Sequence, residues 1–592
     1  MIRATLAALL LACAMPVAAR GPLDRSEDAQ SFSVTWEAPR EVRELFERFL
    51  PPPSPESGDL ATQARRQWSS DVHRRVPEMA ASEGYFSATV QIRFDDSEGR
   101  AVVSVDLGPR TVVDTVDIEF EGDLAGEGDD RELRRSGLRA GFAMKPGQPF
   151  RSADWESAKT RLEQSLTDRD YAAGTLSQSK AEVNEASAKA KLRINLASGP
   201  RFTFGEVTVT GLQRYPERVV RRLVNIKPGE PYNRDRLEQL QRLVQAAPWF
   251  SSVVAEIDTD PSKSTLAPVK VTVIERAARD AGVSLGYGTD DGLRAEATYR
   301  DRDFLGRAFD LQSSVQASQK QQIGYADVYL PPGIWTGRWF DEVPYKDSVG
   351  ILTEHSIIED NNFTRIALAA YRHWYVEKFE LQAGLSYQVE KQYPTGAQVN
   401  YTRALAPVVT ITWRPVDSLF DPKQGGVLNM QFAVGSKSLG SGQDFLKTYL
   451  QYQYWYPLGP MDQLLARVEL GRTFASTREG IPDDFLFRAG GSRSNRGYAY
   501  QSLGVQQGDA VVGGRYLETG TLECVHWLDN TWGAATFVDV GTAADSRQAL
   551  DALKSYGVGA RYRTPAGPFA LDVAYADRDK KFRLSFSVSI AF

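Results

Sequence analysis

At 592 residues the chain is too long for one hydrophobic core and is expected to hold several domains of ~100–200 residues each. Its 70 basic and 76 acidic residues are interspersed and leave a formal charge of −6, so no basic stripe marks a nucleic-acid footprint and no nucleic-acid partner is expected. Cysteine occurs only as Cys13 and Cys524, which excludes a disulfide scaffold and leaves stability to packing.

Residues 1–19 have the form of a signal peptide, with Arg3 as the basic start, an apolar run from Ala4 to Met15, and Val17-Ala18-Ala19 as a small-residue cleavage site. A second reading stays open, in which cleavage before Cys13 leaves that cysteine acylated, although Leu11 fits a lipoprotein signal poorly. With Cys13 removed, Cys524 has no partner, even in an oxidising compartment. Beyond Met15 no apolar run reaches the ~18–20 residues of a spanning helix. The exported chain is therefore either soluble or enters a membrane as a barrel.

The N-terminal half repeats. Residues 101–121, "AVVSVDLGPRTVVDTVDIEFE", and 190–210, "AKLRINLASGPRFTFGEVTVT", each give an alternating strand, a Gly-Pro-Arg corner and a second strand, with a period of 91 residues (Gly199 minus Gly108). A helical stretch ending in an aromatic recurs as "EGYFSATV" from Glu83, "RDYAAGTL" from Arg169 and "APWFSSVV" from Ala247. Three copies are expected, over 31–109, 110–199 and 200–276, each ordered strand, helix, helix, strand, strand. In the second, Trp155, Ala158, Leu162 and Leu166 follow Ser152 on one helical face; in the third, Asn233 caps a helix carrying Leu237, Leu240 and Val244. Pro77 is expected to interrupt the long helix of the first. Small sheets of this kind leave free edges, which either accept an extended chain or serve only as spacers.

From Ala281 to Phe592 the period becomes two. In "KFRLSFSVSIAF" the residues Phe582, Leu584, Phe586, Val588, Ile590 and Phe592 share one face, opposite Arg583, Ser585, Ser587, Ser589 and Ala591. A soluble sandwich alternates too, but strands of about ten residues, aromatics near strand ends as in "QYWYP", and a terminal strand ending in Phe592 favour a transmembrane antiparallel β-barrel over 281–592. At ~9–11 residues per strand plus turns, this length accommodates about 16 strands, and in lipid such a sheet must close.

No catalytic chemistry is legible. His73, His355, His373 and His526 are scattered without metal-binding spacing, and neither a Gly-x-Ser-x-Gly elbow nor a phosphate loop occurs, so no metal, cofactor or catalytic residue is expected. Two other readings compete: a passive porin, which predicts no periplasmic repeats and an open lumen, and a secreted carbohydrate binder, which predicts release into the medium. The loop "FLFRAGGSRSNRGYAYQSLG", residues 485–504, places Arg496 in a stretch that could be merely solvated.

Several motifs in order change that balance: "LGYGTDDGLRAEATYRDRDFLG" at the barrel start, "NRGY" at Asn495–Tyr498, "FVDVG" at Phe537–Gly541, "GVGARYRTPAGPFALDVAYA" from Gly557, and the terminal Phe592. After three repeats, they resemble the POTRA-containing superfamily of outer-membrane assembly and translocation proteins, over nearly the whole exported chain. Members with five POTRA domains (BamA) or with two after a plug helix (two-partner secretion) fit the repeat count less well than the TamA type. The resemblance implies that the Arg496-Gly497-Tyr498 loop folds into the lumen and that its arginine meets acidic residues on late strands. Parity then offers Asp539, inward between Val538 and Val540, and Glu523, inward between Leu522 and Cys524. It further implies a seam between a first strand near Val283, Leu285 and Tyr287 and a last strand near Phe586, Val588, Ile590 and Phe592. The implied partners are the outer-membrane bilayer, unfolded outer-membrane or autotransporter clients and a TamB-like inner-membrane-anchored protein, with the POTRA domains in the periplasm. Asn495 departs from the family pattern, which usually has an apolar residue before the arginine.

Overall fold

The computed structural model describes residues 33–52, 59–95, 100–290, 292–331, 345–565 and 567–588. The expected signal peptide with Cys13, and the seam residues Ile590 and Phe592, lie outside the described residues, as does the side chain of Val588. The chain separates into two compact bodies: the described residues up to Glu206 with Ile226–Leu237 and Ile257–Val269, and Val207–Asn225 with Glu238–Glu256 and the residues from Lys270 onward.

Three small sheets precede the barrel, each three-stranded with the last strand of its module in the middle. In the first, Arg100–Asp106 lies between Ser33–Glu37, parallel, and Thr89–Asp95, antiparallel. In the second, Lys189–Ala197 lies between Val112–Glu121 and Thr175–Asn184 in the same senses. In the third, Ala267–Glu275 lies between Phe204–Thr210 and Phe250–Ile257. The second module shows how sequence makes this layer: Trp155, Ala158, Leu162 and Leu166 recur at helical spacing and are buried with Ala190, Leu192, Ile194 and Leu196, the alternate residues of the central strand. Each large side chain so buried stabilises the module by ~1.5–3 kcal/mol.

The Gly-Pro-Arg corners have a function in this packing. Arg110 lies over the ring of Tyr85 and Arg201 over that of Tyr171, with guanidinium carbons 5.4 and 6.0 Å from the ring centres. Arg201 also reaches Asp123, which receives Arg131 at 2.8 Å and the Tyr171 hydroxyl at 3.0 Å. The Arg131 hydrogen bond holds the Asp123 carboxyl below the usual carboxylate range despite its partial burial. In the third module Asn233 Oδ1 accepts the Asp235 N–H at 2.8 Å, a cap on the Arg234–Gln245 helix.

Pro77 corrects one expectation. It lies inside the Asp59–Ser82 helix, which continues through it. Val72, Val76 and Ala80 on the same helix are buried in the first module's core, and that packing offsets the ~3 kcal/mol a mid-helix proline costs.

The second body contains one sixteen-stranded sheet in sequence order, from Arg279–Gly288 to Lys581–Val588, with neighbouring strands antiparallel. Strand number and alternation match the expected barrel, while several strands run longer than the expected ten or so residues, Asn361–Val376 and Phe379–Pro394 reaching 16. Along the twelfth strand (Tyr516–Trp527), and along the thirteenth (Trp532–Ala544) as far as Val540, burial alternates residue by residue, with Leu522 and Val538 exposed and Glu523 and Asp539 buried. Val558, Val573 and Leu584 are register neighbours on the last three strands and are all exposed, a continuous apolar belt. Among the described residues no ladder joins the first strand to the sixteenth; the Thr289 hydroxyl instead accepts the Phe586 N–H at 3.2 Å and donates to its carbonyl at 3.4 Å.

Candidate functional site

Between the eleventh strand (Asp462–Phe474) and the twelfth, residues 475–515 form a long connection that turns into the barrel interior. Bridges between Phe487 and Gly514 and between Ala489 and Leu503 fold it on itself. Gly491, at φ +99°, makes the following turn possible. Tyr498 is buried with Phe487, Leu503, Leu517 and Leu553, so its ring anchors the loop against the wall.

Arg496 extends into a charged cluster. Its Nε and Nη2 donate to Asp539 Oδ2 and Oδ1 at 2.8 and 2.9 Å, a bidentate fork, and its backbone N–H adds a third bond to Oδ2 at 3.0 Å. Nη1 donates to Glu523 Oε2 at 2.6 Å and to Asp572 Oδ2 at 3.2 Å. Arg561 closes the ring of charges: Nη2 donates to Glu523 Oε1 and Nη1 to Asp572 Oδ1, both at 2.6 Å. The Phe537 ring lies under the Arg496 guanidinium, 3.3 Å from its central carbon. These six side chains are all buried, so two guanidinium groups face three carboxylates with little solvent to screen them.

The wall strands are shaped for this cluster. On the fourteenth strand (Lys554–Thr564), Gly557 and Gly559 face inward between Tyr556, Val558 and Ala560. A Cβ on Gly557 would stand 2.2 Å from Phe537 Cζ, and one on Gly559 would stand 1.9 Å from Asp572 Oδ1. Those two gaps admit the ring and the carboxylate. Gly497 keeps an ordinary backbone; its missing Cβ matters because Ser555 Cβ would be 2.5 Å away, so its role is close approach rather than a left-handed turn.

Asn495, the departure from the resembled pattern, is fully used. Its amide donates to the carbonyls of Leu553 at 2.9 Å and Gly541 at 3.3 Å, and its oxygen accepts the Ser555 hydroxyl at 2.7 Å. Replacing Asn495 with leucine is expected to remove three buried hydrogen bonds, leaving the Ser555 hydroxyl proton without its acceptor, and to cost about 1–3 kcal/mol. The check is the temperature at which the folded gel band of the purified barrel disappears; an unchanged temperature would mean the amide bonds add nothing.

A second anchor on the opposite side of the sheet order was not read from the sequence. Asp484 receives Arg365 Nη1 at 2.8 Å, from the sixth strand (Asn361–Val376), and Arg365 Nη2 also holds Glu354 at 2.5 Å. Asp483 receives Arg488 at 2.5 Å, and its N–H donates to Glu390 at 3.1 Å, on the seventh strand (Phe379–Pro394). Asp572 and Arg561 were missed as well, although parity marks both as inward: Leu571 and Val573 face out beside one, Ala560 and Tyr562 beside the other.

The seam residues Val283, Leu285 and Tyr287 are highly exposed on the first strand, at 88%, 83% and 66%. Phe586 is half-buried and stacks on Phe569 at 5.6 Å. Among the described residues no group of His, Cys, Asp and Glu is arranged to hold a metal, and no helix is long and apolar enough to cross a membrane.

Comparison with known proteins agrees with this architecture. The chain is similar to the outer membrane protein assembly factor BamA of Nitratidesulfovibrio vulgaris, 22% identical over 548 residues, which are 86% of this chain and 66% of that protein. It is also similar to BamA of Neisseria meningitidis serogroup B, 22% identical over 187 residues, 31% of this chain and 23% of the relative. The chain thus spans just under two thirds of the first relative's length. Among solved structures, BamA from Haemophilus ducreyi lacking POTRA domains 1–3 superposes with a TM-score of 0.66 at 15% identity, covering 79% of this chain and 98% of that one, and shares the fold. Residues 202–276 match the surface antigen variable number repeat, POTRA, which places the barrel in the outer membrane with POTRA on the periplasmic side. With residues 277–592, more than half of the sequence, matching the Omp85 superfamily domain, the inward-folded loop and its charged ring sit in the barrel of a chain that belongs to the Omp85 superfamily.

Proposed function

We propose that the chain is an assembly and translocation factor of the outer membrane, of the TamA type, with POTRA domains at 31–109, 110–199 and 200–276 and the barrel at 281–592. The repeat count supports this type: three strand–helix–helix–strand–strand modules stand before the barrel, two of them resembling the one matched as POTRA. The observation that carries the function is the seam. The first and last strands present edges that share no ladder among the described residues, and Val283, Leu285 and Tyr287 lie along that edge.

An unpaired strand edge in lipid is costly, because each orphaned backbone group loses its hydrogen bond without water to replace it. A client strand that pairs with the edge relieves that cost. Successive hairpins can then add until the client's own sheet closes, and its folding supplies the free energy. The clients are unfolded outer-membrane or autotransporter chains, and a TamB-like inner-membrane-anchored protein is the periplasmic partner. A passive pore fits less well, because residues 475–515 are tied to both the sixth and thirteenth strands across the lumen.

The test is reconstitution. Vesicles holding the purified chain are expected to speed the folding of a urea-unfolded outer-membrane barrel, read as the client's heat-modifiable gel band, over empty vesicles. No acceleration, together with rapid flux of a small solute, would replace the proposal with a porin.

A further inference from the structure

Two adjacent residues in the turn after the first barrel strand face two different parts of the molecule. Thr289 holds the last strand through its hydroxyl, which accepts from Phe586 N–H at 3.2 Å and donates to Phe586 O at 3.4 Å. Asp290 holds the luminal loop: one carboxylate oxygen, Oδ2, accepts both the Ser492 N–H at 3.2 Å and the Ser492 hydroxyl at 2.6 Å. The loop comes close enough here that a Cβ on Gly491 would stand 3.3 Å from Asp290 Oδ1. Ser492 is four residues from Arg496, which the wall fixes by five side-chain and main-chain hydrogen bonds.

We infer that Thr289 and Asp290 are positioning residues that couple the seam to the luminal loop, so that the loop, while seated, holds the first hairpin against the last strand. The physical reason is that both contacts share one short turn. The turn is closed by the Gly288–Gly292 pair, and the trans peptide holds the Thr289 and Asp290 Cα atoms ~3.8 Å apart, so a displacement of either residue carries the other with it. The wall cluster around Arg496 is buried and multiply bonded, whereas among the described residues no ladder joins the two strands of the seam, so the loop is the rigid partner and the seam the yielding one. Asp290 thereby lends the order of the charged cluster to a strand edge that otherwise has little of its own. This inference rests on the reading of the seam as the client's entry edge, but its test does not use a client.

The experiment is amide hydrogen exchange on the purified full chain in lipid nanodiscs, followed in peptides covering 582–588 and 488–498. Asp290→Ala and Ser492→Ala, which touch the loop side only, are expected to speed exchange at Phe586 on the far side of the turn by about fivefold, the equivalent of roughly one lost hydrogen bond. Thr289→Val, which removes only the hydroxyl, should speed exchange in 488–498. Thr289→Ser and Asp290→Asn keep the acceptor and are expected to restore protection at both sites. If Asp290→Ala and Ser492→Ala leave the 582–588 peptide unchanged, the coupling is overturned and the two contacts are independent. Should the exchange be coupled while the reconstituted chain fails to fold a client, the latch stands and the proposed function falls; acceleration of client folding without coupled exchange overturns the latch and leaves the function standing.

Discussion

Arg496→Ala is expected to loosen the luminal loop while the barrel still inserts, at a cost of about 3–5 kcal/mol, the range for removing one partner of a buried ion pair. The magnitude follows from what remains. Arg561 alone would face Glu523, Asp539 and Asp572 in a buried setting, and Asp539 would keep only the residue 496 main-chain N–H of its Arg496 contacts. Lysine should not rescue, because one ammonium cannot present a fork to Asp539 and a third donor direction to Glu523 and Asp572. Asp539→Ala should give a similar defect, and since these groups act as one unit, the double change should cost less than the sum of the singles. The readout is protease cleavage within 475–515 in the intact barrel. Strictly additive effects would show that Arg496 and Asp539 are not coupled.

What the sequence made legible here was a face, not a depth. Period-two alternation tells on which side of a strand a residue lies, and that is enough to place Asp539 and Glu523 in the lumen, because a strand's side chains cannot do otherwise without a bulge. Whether two inward residues on strands that are not neighbours stand at the same height depends on barrel shear, which no local pattern records. Asp572 and Arg561 share the inward parity, yet only the registers that pair Asp572 with Gly559 and Asp539 with Ser555 bring them beside Arg496. The glycines at 557 and 559 were visible as a motif, but their meaning needed the partners that fill the gaps. Asp483, Asp484, Thr289 and Asp290 sit in turns, where side-chain contacts reach across the lumen or the seam and carry no periodic signature at all. Pro77 failed for a different reason: propensity is a local preference, and three buried side chains on the same helix outweighed it.

The parity of the barrel itself yields the remaining large effect. Leu584 is exposed in register with Val573, which is in register with Val558, so an arginine at 584 would enter the apolar belt rather than water. Leu584→Arg is expected to cost about 2–4 kcal/mol near the midplane, and Phe586→Arg, on the same face, should fall in or just below that range. Ser587 points the other way, lining a luminal cavity of about 190 Å3 with Arg467, Gln453 and Asp572. Ser587→Arg should be the mild change, because a long side chain has space there and the nearby cluster holds one carboxylate more than it has guanidinium groups. Urea unfolding in lipid vesicles, followed by tryptophan fluorescence, measures the three changes on one scale. A soluble sandwich would treat an arginine on its exposed face as nearly neutral and would reserve the penalty for its buried face, Ser587 included. Equal costs at 584 and 587, or the reverse order, would therefore remove the lipid-facing belt on which the membrane-spanning barrel depends.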